Sequence, residues 1–287
     1  MPDSPSTVRD VVVQAVESLY LGHQLATALA KGRVPISSYV NSRVDECTYN
    51  VVILSKAGMS WAELKTAYTV DAGLQANQDF VHPVVAQARA QEQGRLVSLH
   101  AENLPLPAGF ASGTPRLEKK NARYFLIARG RRNELAALGA FGFNLTSGAP
   151  QDRHDGAVAR EAQSLDDLLH VNLHVNLHVS FDYVYTFKAH RGQGAAKALI
   201  LVAYEAYVQE LSQLAAQLRP AFESTGLPFK LTTTVYSDVT SHSGKVLSSS
   251  LLTLIEGTHA LVREGDPLFR SIALQELEDE SAFVSLY

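Results

Sequence analysis

Tyr183-Val184-Tyr185-Thr186-Phe187-Lys188-Ala189-His190-Arg191-Gly192-Gln193-Gly194-Ala195-Ala196-Lys197 is the stretch around which the rest of the chain arranges itself. Its first part is a run of aromatic and β-branched side chains, the composition of a strand. Its second part sets Gly192 and Gly194 among small residues, and an alanine- and leucine-rich helical pattern follows from Lys197. A strand that passes through a glycine loop into a helix N-terminus makes an anion site. Backbone N–H groups point outward there, and the helix dipole adds about half a positive charge. Small residues at 192, 194, 195 and 196 let a diphosphate approach the backbone. The Gly-x-x-x-x-Gly-Lys-Ser/Thr spacing of a nucleotide P-loop is absent. So is the Rossmann fingerprint, because a single residue separates Gly192 from Gly194 and no third glycine follows at the required spacing.

Immediately upstream, residues 169 to 180 read Leu-His-Val-Asn, the same unit again, then Leu-His-Val-Ser. A repeat of that length is two strand periods. Leu169, Val171, Leu173, Val175, Leu177 and Val179 therefore share one face, and His170, Asn172, His174, Asn176, His178 and Ser180 the other. Continued without interruption, the alternation carries Asp182 and Thr186 onto the histidine face. Such a strand invites a metal reading. Yet successive histidines of the repeat lie about 13 Å apart at roughly 3.3 Å per residue, whereas zinc takes ligands at about 2.1 Å. His170, His174 and His178 do not share an ion on a straight strand, and no metal is expected. The run from 169 to 187 exceeds the usual strand of about 5–6 residues, which predicts a bulge or bend inside it, or a helical turn at its start.

Further out, Leu199, Val202, Ala206, Leu211, Leu214 and Leu218 mark the buried stripe of a long helix from Lys197 to Arg219, with Pro220 as its expected end. Phe229 to Val239 reads as a strand and Ser243 to Val262 as a second helix. Leu268 to Leu274 and Ala282 to Leu286 read as a terminal hairpin. On the N-terminal side, Tyr124 to Ala128 and Leu135 to Leu145 flank Arg131, Arg132 and Asn133 as the arms of a hairpin do. Tyr49 to Leu54 fits a short buried strand, and Ser60 with Glu63 forms a capping box for a helix starting at Trp61. Pro83 suits the first turn of a helix reaching Gln93, and Arg95 to His100 fits a strand. Residues 102 to 121 are the longest turn-rich stretch, of a length typical of lids and binding loops. Residues 7 to 31 carry helical spacing, with Gly22 as a break and Gly32 and Pro35 past the end.

The chain has 287 residues and a net charge of -4, which at about 150 residues per domain allows one large domain or two small ones. Hydrophobic residues at 46% and charged residues at 19% support a sizeable core. A pI of 6.2 exerts no general pull on nucleic acid or anionic membrane. The single cysteine, Cys47, excludes an intrachain disulfide and a cysteine-rich zinc site. No run approaches the roughly 18 apolar residues of a membrane helix, and no basic-then-apolar leader opens the chain. The expected setting is cytoplasmic.

Arg191-Gly192-Gln193-Gly194-Ala195-Ala196 resembles motif A of the GNAT N-acetyltransferase superfamily, Gln/Arg-x-x-Gly-x-Gly/Ala, through Arg191, Gly194 and Ala196. The apolar strand before it and the amphipathic helix after it agree. The resemblance implies an α/β fold with a central mixed, splayed sheet flanked by helices, spread over residues 46–287, with residues 1–45 as an N-terminal helical extension. It implies acetyl-CoA, or another acyl-CoA, as cosubstrate and an amine as acceptor: a small molecule, a protein or a modified nucleobase. A homo-oligomer is compatible with it. By the same likeness Arg191, Gly192, Gln193, Gly194, Ala195, Ala196 and Lys197 surround the diphosphate, with the N–H groups of Gln193 to Ala196 as its cradle. The backbone of Tyr185, Thr186 and Phe187 pairs with the pantetheine arm.

Direct transfer needs a base to take the amine proton, an N–H to hold the oxyanion, and an acid for the thiolate. The position of the family's glutamate base is Ser180 here, which cannot serve. Asp182 is the preferred replacement and His178 the second. The family's tyrosine acid has no counterpart in the helix starting near Ser243; Tyr236 and His242 are substitutes. That departure keeps a second reading open, a non-catalytic module of the same fold that binds CoA or a partner.

Overall fold

The computed structural model of the protein describes residues 5–22, 49–53, 59, 61–73, 121–147, 174–237 and 242–277. Within these, strands β1 (Asn50–Ile53), β2 (Asn121–Arg129), β3 (Leu135–Ser147), β4 (His174–Thr186), β5 (Phe229–Ser237) and β6 (Phe269–Leu277) form one open sheet in sequence order. Strands β1 to β4 are antiparallel neighbours, while β5 runs parallel to β4 and β6 parallel to β5. The connections follow from this. An antiparallel pair needs only a tight turn, and a parallel pair needs a crossover. β2 turns into β3 through Gly130 to Glu134, where Asn133 takes φ 65° and Gly130 N–H donates to Glu134 O at 2.9 Å. Helix α3 (Ala195–Thr225) carries β4 to β5, and helix α4 (His242–Gly265) carries β5 to β6. Helices α1 (Pro5–Glu17) and α2 (Trp61–Ala72) are the other described α-helices. The class is α/β, a mixed open sheet with helices on both faces.

The alternation expected for the repeat holds over 175–179. Val175, Leu177 and Val179 are buried against α3, beside Phe141, Phe143, Leu231 and Val235 of the neighbouring strands. All six residues of the α3 stripe read from the sequence are buried, and Leu251 and Ile255 of α4 and Val12 and Val16 of α1 join the same core. The opposite face is covered at one end by α2, whose Leu64 and Tyr68 pack on Ile127, Leu138, Ala140 and Phe187.

The bulge expected within the long strand falls at Asp182. Tyr183 pairs with Ala140 and Phe181 with Phe141, so Asp182 is the extra residue of β4. One extra residue reverses the parity of everything after it. Val184 packs on the α3 side, and Tyr185 and Phe187 pack on the α2 side. Thr186 pairs with Ala137 of the α3-side core, whereas His178 pairs with Asn144, between Phe143 and Leu145 of that core. His178 and Thr186 therefore lie on opposite faces, correcting the uninterrupted alternation that put them together.

Three boundaries also differ. α3 passes through Pro220 to Thr225 and ends at Gly226 in the left-handed region. The proline forfeits one backbone bond, but burial of Leu214, Leu218 and Ala221 around it keeps the helix on the sheet. α1 stops at Glu17. Beyond it Leu19 and Leu21 are buried while Tyr20 is exposed, an extended pattern that runs along α3. Gln217 bonds both backbone groups of Tyr20, and Gly22 N–H donates to Glu210 at 2.7 Å. Finally, Leu268 is a turn residue and β6 runs parallel to β5. The other arm of the expected hairpin, 282–286, lies outside the described residues, as do the helix from Pro83, the strand at 95–100 and the loop at 102–121.

Candidate functional site

The strand-to-helix junction is built as the sequence indicates. After β4, Lys188–His190 form a 3₁₀ turn, and residues 191–194 form an exposed loop. Gly192 has φ +74° and Gly194 φ +86°, a region that side chains disfavour, and a Cβ built on either meets nothing within 4 Å. Glycine is required there by the backbone and not by crowding. Gly194 is also the N-cap of α3, so no side chain caps the helix. The first helical bond runs from Ala198 N–H to Gly194 O at 3.0 Å. The N–H groups of Ala195, Ala196 and Lys197 precede that ladder and have no intrahelical acceptor. Gln193 N–H instead turns back to His190 O at 3.3 Å, and its side-chain amide donates to Ala189 O at 2.8 Å. Of the N–H groups expected to form the cradle, that of Gln193 is thus engaged within the loop.

The last turn of β4 shows which backbone groups face the neighbouring edge. Phe187 N–H donates to Ala136 O of β3 at 3.0 Å. In an antiparallel ladder residues alternate in the direction of their bonds, so Val184 and Thr186 direct theirs toward the β5 side. Arg191 Nε donates to Thr186 O at 3.1 Å, in keeping with that direction. Among the described residues the ladder with β5 runs from His174/Lys230 to Phe181/Ser237, the last described residue of β5, and β4 continues to Thr186. Phe187 is held in the sheet by its own N–H, and among the described residues no strand pairs with the β5 side of Val184 and Thr186.

Other side chains fix the loop. His190 lies between Tyr49 and Glu134: its Nδ1 is 3.4 Å from the Tyr49 hydroxyl and its Nε2 is 3.7 Å from Glu134 Oε1. Asp71, in the last turn of α2, accepts from the Tyr185 hydroxyl at 2.7 Å and from Lys188 N–H at 3.0 Å. Burial, with the Asp71 hydrogen bond adding to it, pushes the Tyr185 phenol up to about 12. The Arg191 guanidinium carbon lies 6.0 Å from the centre of the same ring. Neither Asp71 nor Glu134 was singled out in the sequence. Both act across long separations with no motif of their own, and only the pairing of elements shows them.

The candidate proton-transfer groups form a second cluster, on the α2-side face near the end of the β4–β5 ladder. The rings of His178 and Tyr236 stack with centroids 5.5 Å apart and planes 29° from parallel. Their strands bring them together, because Ser180 pairs with Tyr236 and His178 with Thr234. His178 Nε2 lies 3.1 Å from the Thr146 hydroxyl, and Asn176 Oδ1 accepts from the Thr234 hydroxyl at 3.1 Å. Burial lowers the His178 pKa below its ordinary 6.5, which favours the neutral, proton-accepting imidazole at neutral pH. Asp182 is placed only through its backbone, at the bulge, and His242 only as the first residue of α4; their side chains lie outside the described residues. Among the described residues no three His, Cys, Asp or Glu side chains are grouped to hold a metal ion, and no helix is long and apolar enough to cross a membrane.

The chain matches no protein-family model, no curated protein and no solved structure.

Proposed function

We propose that the protein is an acyl-CoA-dependent N-acyltransferase of the GNAT type that takes the acyl group of acetyl-CoA to an amine. One observation carries the reading. Among the described residues β4 extends past its last pairing with β5 and enters, through two left-handed glycines, an uncapped helix N-terminus. A diphosphate fits the N–H groups of Ala195 to Lys197 by charge and by hydrogen-bond direction. A pantetheine arm, which carries amide groups, fits the edge offered by Val184 and Thr186 as an added strand.

In that reading the amine nitrogen attacks the thioester carbonyl. The new C–N bond forms, the C–S bond breaks, a base takes the ammonium proton, and the CoA thiolate leaves and is protonated. His178 suits the base because burial keeps it neutral. Asp182 is the alternative base, and its place at the bulge also aims a backbone group of β4 away from the regular ladder. Tyr236, stacked on His178, is the proton donor for the thiolate. α4 contains no tyrosine, which favours a second reading, a module that binds CoA without turnover.

Thiol release from acetyl-CoA in the presence of a panel of amines separates the two. Release that depends on both the protein and an amine supports the transferase. Tight acetyl-CoA binding with no release under any amine supports the binding module. No binding at millimolar acetyl-CoA removes both.

A further inference from the structure

We infer that Asp71 is a positioning residue for the anion loop: from the end of α2 it anchors the turn that launches the loop, and the loop's hold on a diphosphate depends on it. The inference rests on the acyl-CoA reading of that loop. Asp71 sits in the last turn of α2, where the helix dipole disfavours a carboxylate. Its partners lie on the other side of the junction. Both carboxylate oxygens are within 3.1 Å of Lys188 N–H, the first residue of the 3₁₀ turn, and Oδ2 accepts the Tyr185 hydroxyl at 2.7 Å. A carboxylate facing the opening N–H of a turn is a cap. Phe187, the N-cap position of that turn, supplies no side-chain bond itself, so the cap comes from a distant helix.

The chain of contacts then reaches the loop directly. Tyr185, held by Asp71, packs edge-on against Tyr68 of α2 at 4.8 Å and against Phe187 at 5.4 Å. Arg191, which opens the loop, rests near the Tyr185 ring and bonds Thr186 O. His190 N–H and Arg191 N–H close the turn onto Phe187 O and Lys188 O. Fixing Lys188 therefore fixes the direction in which residues 191–194 leave the sheet. In this inference Asp71 itself does not contact the diphosphate. It works through Lys188 and Tyr185.

The test uses the full chain as wild type, Asp71→Ala, Asp71→Asn and Tyr185→Phe. Amide hydrogen exchange is followed at 188–197, with β2 and the middle of α3 as internal controls, and acetyl-CoA affinity is measured by calorimetry. Asp71→Ala is expected to speed exchange at 188–197 alone and to weaken acetyl-CoA roughly tenfold or more, the loss of the bonds to Lys188 N–H and the Tyr185 hydroxyl. Asp71→Asn keeps an acceptor oxygen for Lys188 N–H and is expected to recover most of both effects. Tyr185→Phe is expected to fall between wild type and Asp71→Ala. Unchanged exchange at 188–197 in Asp71→Ala overturns the inference whether or not acetyl-CoA binds. A uniform rise that includes β2 and α3, or no recovery in Asp71→Asn, marks a merely structural role and also overturns it. Locally faster exchange with unchanged affinity overturns the link to the ligand. If wild type binds no acetyl-CoA while exchange responds as expected, the acyl-CoA reading fails and only the anchoring stands.

Discussion

At the scale of single residues, Gly194 is the most exacting position. Its φ of +86° excludes a β-branched side chain on conformational grounds, while the space around it is open. Gly194→Val is therefore expected to abolish acetyl-CoA binding with the sheet and helices intact, checked by calorimetry beside circular dichroism. His178 predicts a pH dependence. On the proposed mechanism its neutral form is the base, and burial lowers its pKa from 6.5, so turnover is expected to be level through neutrality and to fall only below that value. His178→Gln is expected to remove most of the rate and the acid limb with it, in a pH–rate profile of thiol release. The loop glycines were legible in the sequence because their spacing is local. The His178–Tyr236 stack was legible only as two separate candidates, because which strands pair is set by the whole sheet.

At the scale of elements, the bulge at Asp182 matters most. Strand length indicated a bulge or bend, but composition alone does not say which residue is extra. That choice decides which face receives Tyr185 and Phe187. Deleting Asp182 would remove the extra residue and leave Tyr185 opposite Leu138 on the α2 side, beside Tyr68 and Asp71. The expected outcome is a chain that keeps a cooperative thermal transition, checked by calorimetric melting. α3 shows the opposite relation between sequence and structure. The local rule for proline predicts an end at Pro220, and the apolar stripe predicts continuation. Burial of Leu214, Leu218 and Ala221 outweighs a cost of about 3 kcal/mol for an interior proline. The start of the chain is the reverse case, where helical spacing through Leu19 gave way to an extended segment that buries Leu19 and Leu21 with period two.

At the scale of the molecule, the N-terminal segment belongs to the core. Val12, Val16, Leu19 and Leu21 are each buried, and at about 1.5–3 kcal/mol per large apolar side chain their sum rivals the whole stability of an ordinary domain, about 5–15 kcal/mol. A chain lacking residues 1–22 is therefore expected to be largely unfolded at room temperature, checked by denaturant titration. Acid acts through a different buried group. His259 is enclosed with Tyr207 and Thr233, its Nε2 2.6 Å from the Tyr207 hydroxyl, and burial, aided by the Arg263 charge, lowers its pKa from 6.5 to about 4. The unfolded chain binds this proton between those values and the folded chain does not. Its contribution is thus complete above 6.5 and is lost as pH falls toward 4, on the order of 3 kcal/mol. The α/β class was readable through the resemblance of one glycine loop, and the places of most described strands and helices through periodicity. The faces, the clamps and the core role of the N-terminus were not, since each depends on pairings across the chain. The most direct test of the acyl-CoA reading is calorimetric titration of acetyl-CoA into the intact wild-type chain and into Gly194→Val. Saturable binding at micromolar concentration to wild type, absent in the variant, is the predicted result; no saturable heat from wild type at millimolar acetyl-CoA, or equal binding by both, would contradict it.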